Sequence, residues 1–238
     1  MAARCSVPPT GTVAVIIPAF NERQALPKVL SALDPAVADR VVVVDNGSTD
    51  GTPDVARQAG AEVVSEPLRG YGRACQAGLA TLASDPPTFV AFLDADFSDH
   101  PEELGDLLAP LREDRADLVI GVRVAARRER GAIAWQALWG NRLVTGLIRA
   151  IWKVPCSDLG PFRALRWSAL PRLRLRDPDY GWNVEMQVRA IQASLRVVEV
   201  PVSYRRRTGQ SKISGTVSGT VRAGGKMLWT VFTLALER

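Results

Sequence analysis

The stretch FVAFLDADFSD, Phe89 to Asp99, decides the fold of this chain and the position of its most informative polar residues. Its first five residues are apolar, which is typical of a strand buried on both faces. The apolar run ends in Asp94-Ala95-Asp96, and alternate residues of an extended segment point to the same side. Both carboxylates can therefore face one point just beyond the strand. Either they hold a hard divalent cation such as Mg²⁺ or Mn²⁺, or they cap the helix that begins near Pro101.

Outward from this stretch, strand-like and helix-like segments alternate four times in the first half of the chain. The four strand-like segments are 12–17, 40–44, 61–65 and 89–93. Such alternation predicts an α/β fold with a mainly parallel central sheet flanked by helices. Ligands of such sheets bind at the carboxyl ends of the strands, where Asn21, Glu22 and Asp45 join the two aspartates. Each of these residues alone is typical of a turn, but three strand ends with polar groups predict a binding edge.

The composition is that of a protein with a substantial core and no disulfide scaffold. The chain has 238 residues, of which 47% are hydrophobic. Its three cysteines, Cys5, Cys75 and Cys156, are scattered and have no zinc-site spacing, which favours a reduced, intracellular protein. The first residues lack the apolar core of a signal peptide, and no run reaches the roughly 20 apolar residues of a membrane span.

Charge is divided unevenly along the chain. Residues 1–120 hold 9 Lys or Arg and 18 Asp or Glu, whereas residues 121–238 hold 21 and 7. This division predicts metal binding in the first half and an anionic partner for the second, with nucleic acid, a phosphorylated ligand and an anionic membrane all fitting the charge.

The second half has fewer clear motifs. We expect a loop around Arg127, Arg128 and Arg130, followed by a long amphipathic helix from Trp135 to Trp152. Beyond it, the pattern predicts a helix over 185–193 and a strand over 196–202. From Arg205 the chain carries six Lys or Arg before Glu237, and the segment 227–236 is apolar. That segment either lies in a membrane interface or forms a C-terminal helix packed on the core.

Seven motifs follow one another along nearly the whole chain: IIPAFNE, VVDNGSTDG, RGYGRA, FLDADFSDHPEEL, GVR, DLGPFRA and VPVSYRRRTGQSK. In this order they resemble glycosyltransferase family 2, in its polyprenyl-phosphate branch of dolichyl-phosphate mannose or glucose synthases. The resemblance implies a GT-A fold, with a single catalytic domain over residues 1–205. Within that domain it places the nucleotide-sugar and metal half at 1–120 and the acceptor half at 121–205. It leaves residues 206–238 as a basic, partly apolar tail.

The activity implied by the resemblance is metal-dependent, inverting transfer of a hexose from a UDP-glucose or GDP-mannose type of donor to polyprenyl or dolichyl phosphate. The resemblance also implies Mg²⁺ or Mn²⁺ as the cofactor, and a cytoplasmic protein that is peripheral at an anionic membrane surface, the inner face of the cell membrane. One alternative is a soluble member of the family that acts on a sugar or small-molecule hydroxyl. A nucleic-acid-binding protein is disfavoured, because the basic clusters lack interleaved aromatic residues and Asp94-Ala95-Asp96 would stay unexplained.

The resemblance also implies site residues. The implied nucleotide-sugar pocket comprises Pro18, Phe20, Glu22, Asp45, Gly47 and Ala95, with Arg123 and Arg206 on the phosphates. Asp94, Asp96 and Ser98 are the implied metal ligands, and Asp158 is the candidate base if the acceptor is a hydroxyl. The chain departs from the family pattern at Asn46, where a second acid is common, and at Ser98, where mannosyl synthases often have glutamine.

Overall fold

The computed structural model describes residues 11–209 and 217–237, and seven strands in this part of the chain form one mixed sheet. The strands are β1 (Val13–Ala19), β2 (Arg40–Asp45), β3 (Glu62–Ser65), β4 (Phe89–Phe92), β5 (Leu118–Arg128), β6 (Arg163–Arg166) and β7 (Val197–Tyr204). Their order across the sheet is β3-β2-β1-β4-β6-β5-β7.

Helices cover both faces of the sheet. They are α1 (Leu26–Ala32), α2 (Thr52–Gln58), α3 (Tyr71–Leu82), α4 (Leu104–Arg112), α5 (Trp135–Trp152), α6 (Leu170–Leu173), α7 (Trp182–Gln192) and α8 (Val217–Leu236), with short 3₁₀ turns at Pro101–Glu103 and Trp167–Ala169. Leucines and valines of α1 and α4 pack on one face, whereas α3 and α7 cover the other. The predicted class, an α/β fold with helices around a mainly parallel sheet, is confirmed.

The parallel strands bring their carboxyl ends to one edge of the sheet. β1 pairs in parallel with β2 and with β4, so that Ala19 lies opposite Asp45, and Ile16 lies opposite Phe92. The β-branched and aromatic residues of these strands are buried on both faces, which is why they appear as continuous apolar runs. The segment after Phe92 therefore emerges beside the end of β1, as the sequence predicted.

One strand that the sequence analysis did not assign is β6. This strand lies antiparallel between β4 and β5, and its sequence, RALR, carries an arginine at each end. Arg163 is completely buried because its guanidinium donates hydrogen bonds to the carbonyl oxygens of Gly160 and Asn183. Because both ends of the strand are arginines that donate to carbonyl oxygens outside it, the strand has no apolar run by which the sequence could reveal it.

β5 is a second strand that the sequence analysis did not assign. It continues to Arg128, which lies opposite Tyr204 of β7 after a shift in register. The expectation that Arg127 and Arg128 lie in a loop is therefore wrong, although Arg130 does lie beyond the strand.

A third apolar cluster joins α5, α7 and α8. Ile148 of α5, Val188 of α7, and Val231 and Leu234 of α8 are all buried in it. One side of the C-terminal helix thus packs on the rest of the protein, which is the second of the two arrangements considered for the apolar segment. Within residues 11–209 and 217–237, no helix is both long and apolar enough to cross a membrane.

The described cysteines, Cys75 and Cys156, are buried and free. Cys5, Lys212 and the rest of segment 210–216 lie outside the described residues.

The start of α3 packs directly against the loop that precedes α7. Arg73 donates its backbone N–H to the carbonyl oxygen of Pro178 at 3.0 Å. A Cβ at Gly72 would clash with the backbone carbonyl of Asp177, and Gly70, with φ of +151°, faces the Pro178 carbonyl in the same way. Glycine is required here because two backbones touch, and this contact sets the spacing of two loops that line the main cavity described below.

Substitution Gly72→Ala tests this contact. We expect it to lower the free energy of unfolding by about 1–3 kcal/mol, since the Cβ forces one backbone away from the other. Urea unfolding followed by circular dichroism measures the change.

The matched control is Gly140→Ala in α5, where an added Cβ has nothing within 4 Å. It should raise the free energy of unfolding by about 0.5–1 kcal/mol through helix propensity. Equal effects of the two substitutions would contradict the close-approach argument.

Candidate active site at the carboxyl edge of the sheet

The main cavity opens at the carboxyl ends of β1, β2 and β4 and has a volume of about 490 Å³. Small-molecule sites in proteins are commonly of this size. Its lining residues are Pro18, Ala19, Phe20, Glu22, Asn46, Arg69, Gly70, Tyr71, Ala74, Asp94, Ala95, Asp96, Asp179, Tyr180, Arg207 and Arg222.

Asp94 and Asp96 both line this cavity, as the alternation after β4 predicted. Asp96 is buried, and its Oδ1 accepts hydrogen bonds from the backbone N–H and the hydroxyl of Ser98. Burial, and after it the charge of Asp96, raises the pKa of Asp94 above its ordinary value. Asp99 is almost completely buried, and burial, followed by the charges of Asp94 and Asp96, raises its pKa well above the ordinary value. The edge thus concentrates negative charge.

Arg207 supplies positive charge to this acidic edge. Its guanidinium lies 3.2 Å from Glu22 and 3.2 Å from Asp96. The segment after β7 is held there by backbone hydrogen bonds, since Arg205 donates to the Ser98 carbonyl and Thr208 donates to the Asp96 carbonyl, both at 2.9 Å. The basic segment of the second half therefore lies along the acidic loop of the first.

Arg206, the arginine implied by the family pattern, does not line the main cavity. Its backbone N–H donates to Glu129 at 2.8 Å, and its Nε donates to the carbonyl oxygen of Arg130 at 2.8 Å. Successive residues of an extended segment point to opposite sides, so only one of these two neighbours can face the aspartates. That residue is Arg207.

Of the implied nucleotide-sugar residues, Pro18, Phe20, Glu22 and Ala95 line the cavity, whereas Asp45 and Gly47 do not. Asp45 is buried and accepts a hydrogen bond from the Ser48 backbone N–H at 3.2 Å.

Asn46, where the family often has an acid, lines the cavity instead of Asp45. Its amide donates to the carbonyls of Glu66 and Leu68, and its Oδ1 accepts from the Gly70 N–H. This side chain therefore ties the end of β2 to the loop before α3. A carboxylate at this position could not donate these hydrogen bonds.

Several lining residues were not predicted as site residues, and only some of them fall within the quoted motifs. Arg69 of the RGYGRA motif places its guanidinium over the Phe20 ring, 3.0 Å from the ring centroid. Tyr180 and Asp179 come from the loop before α7, and Arg222 comes from α8. No local pattern brings these three residues to β1, because the fold of the second half determines their position.

Arg123 and Asp158 form an ion pair beside the main cavity. Two guanidinium nitrogens of Arg123 donate to Asp158 at 2.6 and 2.8 Å, and the Arg123 backbone N–H donates at 2.9 Å. Burial acts to raise the pKa of Asp158, but the hydrogen bonds and charge of Arg123 outweigh it and lower the pKa below its ordinary value. A carboxylate held in this way is a poor proton acceptor, and its two oxygens fix the orientation of the Arg123 guanidinium.

The same ion pair lines a second cavity of about 240 Å³ between β5 and α5. Arg128 of β5 and Arg142 of α5 also line it, together with apolar Ile133 and Leu138. Because Asp158 compensates the charge of Arg123, it is Arg128, Arg142 and the apolar wall that suit a ligand with an anionic head on a hydrocarbon.

A metal at the acidic edge would be held by Asp94 and Asp96. Within the described residues, no three His, Cys, Asp or Glu side chains are placed to form a complete metal site. The hydroxyl of Ser98 is already bonded to Asp96. The two aspartates and the raised pKa of Asp94 fit a divalent cation that takes its remaining oxygen ligands from a bound substrate.

Residues 14–173 match the family model for glycosyl transferase family 2. A glycosyltransferase of Mycobacterium tuberculosis whose function is uncharacterized is 41% identical over 214 residues, covering 89% of this chain and 94% of that one. An undecaprenyl-phosphate mannosyltransferase of Micrococcus luteus is 34% identical over 226 residues, covering 87% and 89%.

Among solved structures, the fold is similar to glucosyl-3-phosphoglycerate synthase from Mycobacterium tuberculosis in complex with Mn²⁺, uridine diphosphate and glucosyl-3-phosphoglycerate. The TM-score is 0.76 at 23% identity, covering 95% of this chain and 80% of that one. This similarity supports the GT-A fold.

Mn²⁺ binding tests the acidic pair. We expect Mn²⁺ to raise the melting temperature of the wild-type protein, because the cation relieves repulsion between Asp94 and Asp96. In Asp94→Asn this rise should be lost, while the melting temperature of the metal-free protein should not fall, since one of two repelling charges is gone. Differential scanning fluorimetry measures both quantities.

Asp106→Asn in the first turn of α4 removes an exposed carboxylate away from the cavity and is the matched control. It should keep the full Mn²⁺ response. An unchanged response in Asp94→Asn would show that the metal binds elsewhere.

Proposed function

The chain belongs to glycosyl transferase family 2, and we propose that it transfers a hexose from a nucleotide-sugar to a polyprenyl phosphate at a membrane surface, with inversion at the sugar carbon. The observation that carries this proposal is the convergence of Asp94, Asp96 and Arg207 on one cavity at the carboxyl edge of the sheet.

The donor would lie across the main cavity. Phe20 and Arg69 form a flat surface for a base, and both line the wall near Asn46. From there the diphosphate of a UDP-glucose or GDP-mannose type of donor would extend toward Asp94 and Arg207. When the bond between sugar and diphosphate breaks, negative charge grows on the leaving diphosphate, and a guanidinium already in position stabilises it.

Asp94 and Asp96 would hold Mg²⁺ or Mn²⁺, which when bound supplies Lewis-acid stabilisation of the diphosphate. Ser98, through its hydrogen bonds to Asp96, would orient that carboxylate rather than serve as a ligand itself.

The acceptor would approach through the second cavity. Its phosphate would meet Arg128 and Arg142, while Ile133 and Leu138 would contact the first part of the hydrocarbon chain. The name of the Micrococcus luteus relative, an undecaprenyl-phosphate mannosyltransferase, supports this class of acceptor.

A phosphate acceptor also matches the state of Asp158. A phosphate monoester has a second pKa of about 6, so it is already an anionic nucleophile near neutral pH and needs no base. A hydroxyl acceptor would need one, but Asp158 is bound to Arg123 by both carboxylate oxygens. We therefore propose that Asp158 positions Arg123 rather than removing a proton, which disfavours the soluble, hydroxyl-accepting alternative.

A panel of donors and acceptors tests the proposed function. UDP-glucose and GDP-mannose are each incubated with Mn²⁺, with and without a polyprenyl phosphate. We expect radiolabelled hexose to move into the organic phase only when the lipid phosphate is present. Equal transfer to a water-soluble sugar hydroxyl without the lipid would contradict the proposal.

The two neighbouring arginines give a second prediction. Arg207→Ala should lower the transfer rate by about 10²-fold or more, as expected for the loss of one preorganised group that stabilises developing charge. Arg207→Lys should restore only part of the rate, because a single ammonium cannot reproduce the guanidinium fork.

Arg206→Ala is the matched control and should stay within a few-fold of wild type, since Arg206 bonds the Arg130 carbonyl away from the main cavity. Steady-state kinetics with saturating donor measures all three variants. A larger loss in Arg206→Ala than in Arg207→Ala would restore the assignment implied by the sequence motif.

A further inference from the structure

We infer that α5 and α8 together form the surface by which this protein docks on an anionic lipid bilayer, an inference that rests on the proposed function and gives its acceptor a route to the site. We call this surface the docking face. Its apolar members are Trp135, Trp139 and Leu143 of α5, and Trp229, Phe232 and Leu236 of α8.

Exposure identifies the face. Of the seven large apolar side chains that are exposed in the described part of the chain, six are the members of the docking face, and the seventh is Leu68. Trp135 is 67% exposed and Trp229 is 66% exposed. Concentrated exposure of this kind marks an interaction surface, whereas isolated apolar residues need no explanation.

Helical spacing gives each helix one apolar stripe. The α5 members are four residues apart, and the α8 members are three and four residues apart, so each set lies on one side of its helix. The opposite sides are buried together, with Ile148 of α5 beside Val231 and Leu234 of α8 in the third apolar cluster. Since the core occupies the inner sides, the outer sides are available to an external partner.

The charges of these helices favour an anionic partner over a second copy of the chain. Neither α5 nor α8 contains an aspartate or glutamate. Arg142 and Arg149 are exposed on α5, and neither is ion-paired to an acid among the described residues. In a dimer formed through two docking faces, the arginines of one copy would lie near those of the other and repel them. The negative charges of an anionic bilayer would instead neutralise these arginines.

The aromatic residues favour the interface of a bilayer. Tryptophan is enriched where hydrocarbon meets water, because its ring is apolar and its N–H remains hydrated. A helix with an apolar stripe, flanking basic residues and no acid is typical of helices that lie in the plane of a membrane surface.

The docking face is continuous with both cavities. Arg222 of α8 lines the main cavity, and Arg142 of α5 lines the second one. Lys226 of α8 is ion-paired with the buried Asp177 at 2.8 Å, which fixes the helix to the loop that carries Tyr180. A bilayer on the docking face would therefore place lipid phosphates beside the arginines of the proposed acceptor site.

Vesicle flotation tests the inference directly. Full-length protein is mixed with phosphatidylcholine vesicles that contain a rising fraction of phosphatidylglycerol, at low and high salt. We expect binding to rise with the anionic fraction and to fall with salt. The double variants Trp135→Ser/Trp139→Ser and Trp229→Ser/Phe232→Ser should each lower the partition constant by about tenfold or more.

Two controls make the result specific. Leu68→Ser removes an exposed apolar side chain outside the docking face and should bind vesicles as wild type does. Asp94→Asn should also bind vesicles normally, although it should lose transfer. Circular dichroism and melting temperatures establish that the variants are folded, as expected for substitutions at exposed positions.

Wild-type binding that is absent at every lipid composition, or unchanged in both double variants, would overturn the inference. So would a dimer, seen by light scattering, that the tryptophan substitutions dissociate in the absence of any vesicle binding. Transfer to a water-soluble short-chain prenyl phosphate, measured in parallel, tests the proposed function without a bilayer. The inference about the docking face can therefore be contradicted by the vesicle experiment while transfer to the soluble acceptor supports the proposed function. The opposite pair of results is equally distinguishable.

Discussion

Repulsion between Asp94 and Asp96 is the constraint on which the rest of the site depends. The parallel sheet fixes both carboxylates at the same edge, because the end of β4 is held level with β1 by its ladder of hydrogen bonds. Such a pair is stabilised by nearby positive charge or by protonation of one carboxylate, and the raised pKa of Asp94 reflects burial and this repulsion. Arg207 supplies part of that charge from the opposite end of the chain, and a divalent cation with a bound diphosphate would supply the rest. Repulsion raises the free energy of the aspartate pair when no cation is bound. Binding of a cation together with its diphosphate is therefore favoured.

The uneven division of charge along the sequence becomes a contact in the folded protein. The acidic first half forms the floor of the main cavity, and the basic segment after β7 returns along it through two backbone hydrogen bonds to the loop of Asp96 and Ser98. Because the basic segment lies against the acidic loop, the side chain of Arg207 faces the aspartates. The side chain of its neighbour Arg206 points away from them. Beside the second cavity, an acidic residue again orients a basic one: the buried carboxylate of Asp158 fixes the direction of the Arg123 guanidinium.

The two sides of the C-terminal helix α8 have different surroundings. Its inner side belongs to the third apolar cluster, so the helix is part of the folded body. Its outer side adds Trp229 and Phe232 to the tryptophans of α5, and its first half carries Arg222 to the main cavity. Of the membrane segment and the packed helix, between which the sequence left the choice open, the structure shows the packed helix, and its outer side is exposed.

The sequence by itself determined the α/β class, the parallel pairing of the first four strands and the position of Asp94 and Asp96. These features are local: apolar runs define buried strands, and alternation places the two aspartates on one side. Only the tertiary structure decided that Arg207 faces the cavity instead of Arg206, that Asp158 is bound to Arg123, and that β6 enters the sheet antiparallel. Each of these depends on contacts between residues far apart in the chain, and such contacts leave no periodic signal in the residues that make them.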